Sequence, residues 1–154
     1  MNRSIESALR FVNLATSGLL AGSLGFGGSA LVPGWKEELP RRMRPVGSAY
    51  FDAIGPVALG TAVTLAIGTR GDSAIKRVLD AAAVIGLAGV LASTIMVTVP
   101  INRELETQPA NDYPSEKSQS LVRNWSRAHA IRTTLGVGAF LCAAAASVTR
   151  NHSK

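Results

Sequence analysis

Residues 81–102 read AAAVIGLAGVLASTIMVTVPIN, a run without a single charge. It is rich in Ala, Val, Ile and Leu, and it is long enough to cross a bilayer core, which takes about 20 helical residues. Three further uncharged runs share the chain with it: Phe11 to Trp35, Ala53 to Thr69 and Thr133 to Thr149. The charges sit between and beside these runs. Only 17% of the 154 residues are charged, against roughly 25% in ordinary soluble domains. That distribution belongs to membrane spans, not to a water-facing surface.

No period-2 alternation continues far enough for a series of barrel strands. Spanning segments must then satisfy their backbones as helices. The expected fold is an all-α integral membrane four-helix bundle in a single domain, residues 1–154. Its expected spans are about 11–33, 50–69, 80–101 and 129–149. The second run is short and gains length if it is entered near Val46, which places Asp52 at the boundary; Pro56 is then tolerated in a first turn or as a kink. Pro100 is expected to close the third span. Residues 104–117, with Pro109, Asn111, Asp112 and Pro114, are expected to form a loop. Pro114-Ser115-Glu116 has the form of a helix start, and that helix should continue through Trp125 and Arg132.

Arg3 and Arg10 precede the first run, as they would in a signal peptide. The run exceeds a usual signal core and three more follow, so a retained span is expected. Gly18-Leu-Leu-Ala-Gly22 is a small-xxx-small pattern that lets helices approach closely. Gly25-Phe-Gly-Gly28 lacks the strand before it and the Lys-Ser/Thr after it that a phosphate loop requires. Arg70-Gly-Asp72 reads as a turn. With four spans the positive residues divide seven to nine between the two ends. Cytoplasmic termini are the expectation, on a weak positive-inside signal.

The net charge of +6 does not point to nucleic acid, because the Lys and Arg residues mark span ends where lipid headgroups lie. The one cysteine, Cys142, lies inside an apolar run, which excludes a disulfide framework and favours packing. No ligand-spaced partner accompanies His129, and His152 falls in a tail on the opposite side, so no metal site is expected. No carboxylate-x-x-His pair lies within a span, which disfavours a di-iron bundle. None of the four runs carries an ionisable residue at mid-depth, which disfavours a transporter.

The chemistry-bearing stretch runs from Pro100 to Arg132. In a helix, Trp125, His129 and Arg132 are spaced i, i+4, i+7 and share one face. That face presents an indole, an imidazole and a guanidinium at the mouth of an apolar helix. Asn102 ends the preceding span and is placed to meet them. Each residue also has a plain structural reading. His129 caps or sits at the interface, Arg132 snorkels to headgroups, Trp125 joins an aromatic belt, and Asn102 bridges helices. Arg103 and Arg127 read as headgroup contacts.

Pro100-x-Asn102, a polar loop, then Trp125-x-x-x-His129-x-x-Arg132 resembles the signature of a family of small four-helix membrane proteins. Most members are bacterial domains of unknown function, and the fungal anthrone oxygenases belong to it. The glycine-rich first span before Pro33, and Pro56 in the second, are similar too. The resemblance implies an oxygenase that uses molecular oxygen without a metal or organic cofactor, on an activated methylene such as that of an anthrone.

Independently of any family, an acidic C–H needs a base near neutral pKa, and His129 fits. The developing oxyanion needs a donor or cation, and Arg132 or Asn102 fits. A flat aromatic substrate needs an apolar surface, for which Trp125, with Tyr50 at the same mouth, is the candidate. The expected partners are therefore a hydrophobic aromatic molecule, O2 and membrane lipids. A homo-oligomer or a partner membrane protein is compatible with the small-residue faces. The competing expectation is a non-catalytic accessory subunit, or a module that binds lipid or quinone through the same cluster.

Overall fold

The computed structural model describes residues 1–27, 44–68, 73–107 and 115–149, with side chains of the second segment described from residue 51. Four helices make up almost all of it: α1, Arg3–Phe26; α2, Arg44–Gly68; α3, Ala74–Thr107; and α4, Glu116–Val148. Among the described residues there is no strand. Three starts are capped by side-chain oxygens that satisfy first-turn amides, as helix termini require. Asn2 accepts from the Ser4 amide, Ser73 from that of Lys76 and Ser115 from that of Ser118. Pro56 lies well inside α2, not in its first turn.

The helices form a closed ring in which α1 packs on α2 and α4, and α3 packs on the same two. Neighbours are antiparallel. Gly68 at the end of α2 meets Met1, Gly18 of α1 meets Phe140 of α4, and Gly86 and Gly89 of α3 meet Ala139 and Leu135 of α4. The bundle is thus up-down-up-down. Its centre is small and apolar: Leu20, Leu24, Ala58, Ala62, Leu87, Val90 and Ala139 form one buried cluster. Phe11, Ile85, Met96 and Val148 are exposed on the outside. An apolar exterior of this kind suits lipid. α2, α3 and α4 are each long and apolar enough to cross a membrane. The end expected for the first span, beyond residue 27, lies outside the described residues, as do residues 36–43 and the turn expected at Arg70-Gly-Asp72.

The tightest crossing is α3 on α4. A Cβ at Gly86 would stand 2.9 Å from the Ala139 Cβ and 3.0 Å from the Leu135 carbonyl oxygen. Of the Gly18/Gly22 pair, only Gly18 serves close approach. The Phe140 ring lies over it, while nothing lies within 4 Å of where a Gly22 Cβ would be.

The structure corrects two expectations. Pro100 does not end the third helix, which continues to Thr107. The reason lies just before it: Thr94–Thr98 is a π turn, in which the Val99 amide bonds the Thr94 carbonyl five residues back. Proline within a helix lacks one amide and crowds the carbonyl four residues earlier. A wide turn immediately upstream relieves both. The 104–117 loop is correspondingly shorter. Residues up to Thr107 belong to α3, and α4 begins at Glu116, with Lys117 and Glu104 forming an ion pair across the gap.

A second polar feature ties the opposite end of the bundle. Glu6 and Arg10 of α1 meet Lys76 and Asp80 of α3. Arg10 donates to both Asp80 carboxylate oxygens at 3.1 and 3.2 Å and to Glu6 at 2.9 Å, and Lys76 donates to Glu6 at 2.7 Å. One turn further in, the Asn13 amide donates to the Ala58 carbonyl at 2.9 Å and to the Thr61 hydroxyl at 3.0 Å, joining α1 to α2. With opposite charges paired, a charge-poor bundle can bury them.

Candidate functional site

α4 buries residues at 122, 125, 128, 129, 132, 136, 139, 143 and 146, the 3–4 spacing of one helical stripe. Trp125, His129 and Arg132 lie on that stripe, with 7%, 5% and 5% of their surface exposed. They are core residues, not belt or snorkelling ones. In contrast, Arg103, Arg123 and Arg127 are exposed.

The three side chains touch one another. The His129 ring stacks on Trp125, with centroids 4.7 Å apart and planes within 11°. The Arg132 guanidinium carbon lies 5.5 Å from the indole centroid, within cation–π range. Arg132 Nη2 is 3.0 Å from His129 Nδ1, and Arg132 Nη1 donates to Thr94 Oγ1 at 3.3 Å. His129 Nε2 is 2.9 Å from the Leu24 carbonyl oxygen. The partners assign the tautomer. A carbonyl only accepts, so Nε2 carries the hydrogen; a guanidinium only donates, so Nδ1 offers its lone pair.

Three helices build this site. α1 contributes the Leu24 carbonyl and, at its end, Gly27, where a Cβ would come within 3.1 Å of His129 Cε1. Glycine is what lets the imidazole seat there. α3 contributes the π turn. Thr133 adds a lock: its hydroxyl lies 3.0 Å from the His129 carbonyl and 3.4 Å from that of Leu24.

Trp125, His129 and Arg132 are therefore brought together as their spacing suggested. Asn102 is half-buried two residues past Pro100, and among the described residues no hydrogen bond joins it to His129 or Arg132. The α3 group that meets Arg132 is Thr94 instead. The side chain of Tyr50 and the whole of His152 lie outside the described residues. Among the described residues no group of three or more His, Cys, Asp or Glu could hold a metal ion, and no carboxylate pairs with Arg132. Cys142 is half-buried and free.

The family model described as Anthrone oxygenase matches residues 45–142. The chain belongs to the anthrone oxygenase family. The matched region runs from the start of α2 to Cys142 in α4, so the anthrone oxygenase match contains Thr94, Asn102, Trp125, His129 and Arg132. No curated protein and no solved structure matches the chain.

Proposed function

We propose that the protein is a membrane-embedded oxygenase that joins O2 to an activated aromatic methylene, anthrone-like in form, with no cofactor in the reaction. One observation carries this reading. A neutral imidazole with its Nδ1 lone pair turned inward is held 3.0 Å from a buried guanidinium that has no carboxylate partner among the described residues. Base and cation stand side by side on an indole face.

The chemistry follows from those two groups. The substrate carbonyl takes hydrogen bonds from Arg132, which draws the guanidinium off Nδ1. Nδ1 then removes the methylene proton, and the negative charge moves onto the carbonyl oxygen beside Arg132. The electron-rich enolate gives one electron to O2, and the carbon radical and superoxide combine to a peroxide anion. That anion takes the proton back from His129. Loss of water from the hydroperoxide leaves a new C=O, so one O2 and one CH2 become one C=O and one H2O. A positioned base supplies a factor of ~10²–10⁴, and one preorganised donor about 10²–10³. In this reading Trp125 provides the flat surface. Asn102 is a further donor to the oxyanion in this reading, and Tyr50 a second substrate contact. With four spans, the site lies near the membrane edge away from the termini, which face the cytoplasm.

A second reading has its own support. Both His129 nitrogens and two Arg132 nitrogens have partners within the bundle, as an interhelix lock of an accessory or lipid- or quinone-binding module would. Oxygen uptake by detergent-purified protein with a panel of anthrones and hydroquinones separates the two. Uptake above the spontaneous rate, unaffected by chelator and lost in His129→Gln, is expected. Background rates across the panel would leave the module reading.

A further inference from the structure

Thr98 stands apart from the other described helical threonines, whose hydroxyls all donate to a carbonyl of their own helix, that of Thr107 to Glu104 three residues back. Thr16, Thr61, Thr64, Thr94, Thr133 and Thr134 each donate their hydroxyl to the carbonyl four residues back, the usual way to satisfy a hydroxyl inside a helix. Thr98 has only 4% of its surface exposed, yet its Oγ1 has no hydrogen-bond partner among the described residues. The π turn explains why. In the widened turn the carbonyl four residues back, that of Thr94, is aligned on the Val99 amide rather than on residue 98. Single π turns inside α-helices recur at functional sites. Here the turn releases one hydroxyl from its own helix.

Arg132 has a matching surplus. Two of its nitrogens bond His129 and Thr94, and Nε, also buried, has no partner among the described residues. Leaving a buried polar group unmade costs about 1–3 kcal/mol, and both of these lie on the α3–α4 contact, where Arg132 bonds Thr94. They belong to one place because of the topology. Thr98 follows Thr94 by four residues, close to one turn of the widened helix. α3 and α4 are antiparallel, so that turn stands beside the turn of α4 running from Arg132 back to His129.

We propose that Thr98 Oγ1–H and the Arg132 guanidinium form a two-sided receptor for an oxyanion, the phenolate or enolate oxygen of an aromatic ligand. This rests on the proposed reaction for its ligand class. It adds that α3 contributes a substrate-binding residue and that the π turn aims it. Arg132 supplies the charge and Thr98 the second donor, set across from it.

The test uses a hydroxyanthraquinone dye such as alizarin, whose absorption moves to the red when its phenol ionises, titrated against the purified full chain near pH 7. Wild type is expected to bind the red-shifted phenolate. Thr98→Val, which keeps the shape and removes the donor, should weaken that binding about tenfold. Thr98→Ser should restore it to within about twofold, and anthracene, which has no oxygen, should bind wild type and Thr98→Val alike. Equal dye affinity and equal red shift in wild type and Thr98→Val would overturn the receptor, as would a dye that wild type does not bind. Oxygen uptake read on the same samples keeps the two ideas apart. Dye binding that depends on Thr98 without uptake sustains the receptor and sinks the oxygenase. Uptake that is indifferent to Thr98→Val does the reverse.

Discussion

Arg10 and Asp80, seventy residues apart, face each other through two parallel N–H···O bonds of 3.1 and 3.2 Å. The side chains are 10% and 4% exposed, so this pair fastens α1 to α3 from inside the bundle. Removing one partner of a buried pair strands the other charge, at a cost of about 3–5 kcal/mol. Asp80→Asn is therefore expected to lower the unfolding midpoint in detergent severely. Asp80→Leu with Arg10→Met should recover much of the loss, because it removes both charges and keeps apolar volume. If the double variant is no more stable than Asp80→Asn, the pair does more than neutralise itself.

Glu6 makes the same network sensitive to acid. The Lys76 hydrogen bond holds its carboxyl below the ordinary value; partial burial pushes the other way, and Arg10 adds to the lowering. A depressed folded pKa stabilises the fold above the unfolded value, near 4.3, and the benefit is lost as pH falls through the folded pKa. The melting difference between wild type and Glu6→Gln should be constant from about pH 8 to 5 and shrink in more acidic buffer. The Glu6 side chain is 22% exposed at this edge, so solvent screens its pairing only in part. A difference that stays level into strong acid would mean that Glu6 acts through packing alone.

The α3–α4 crossing makes a sharper claim. At Gly86 an added methyl meets the Ala139 Cβ at 2.9 Å and the backbone oxygen of Leu135 at 3.0 Å, neither of which can swing away. Gly86→Ala should cost about 1–3 kcal/mol by overpacking. Gly22→Ala, where nothing lies within 4 Å, should be neutral or gain up to about 1 kcal/mol from helix propensity. Thermal melts of the two variants side by side decide it. Equal effects would mean that the helices part easily at Gly86.

Charge-free runs and glycine spacing made the four helices and the Trp125–His129–Arg132 face legible, because both depend on local composition and helical period. The π turn was not legible. Nothing in Thr94-Ile-Met-Val-Thr98 distinguishes a wide turn from an ordinary one, so Pro100 read as the close of the span and Asn102 as the residue of that span placed to meet the cluster, with Thr94 unremarked. Arg10 read only as a charge preceding the first run, and its pairing with Asp80 was not legible, since pairing across helices depends on tertiary register. A hint existed: Glu6/Arg10 and Lys76/Asp80 are both i, i+4 pairs, so each helix presents opposite charges on one face.

Arg132 offers the test that separates catalyst from lock. The guanidinium is buried, has no carboxylate partner among the described residues, and leaves Nε unused. A buried cation held this way is costly to the fold. Arg132→Met keeps most of the side chain's apolar packing and removes the charge, while His129 Nδ1 loses its donor, a penalty of about 1–3 kcal/mol. The two effects oppose, so the melting point should change little. Oxygen uptake should nevertheless fall by about 10²–10³, the contribution of one preorganised donor to a developing oxyanion. Arg132→Lys should not rescue it, because a single ammonium cannot reproduce the planar fork that meets both Thr94 and His129. A large drop in stability with no specific loss of activity would show that the cluster was built to hold helices together.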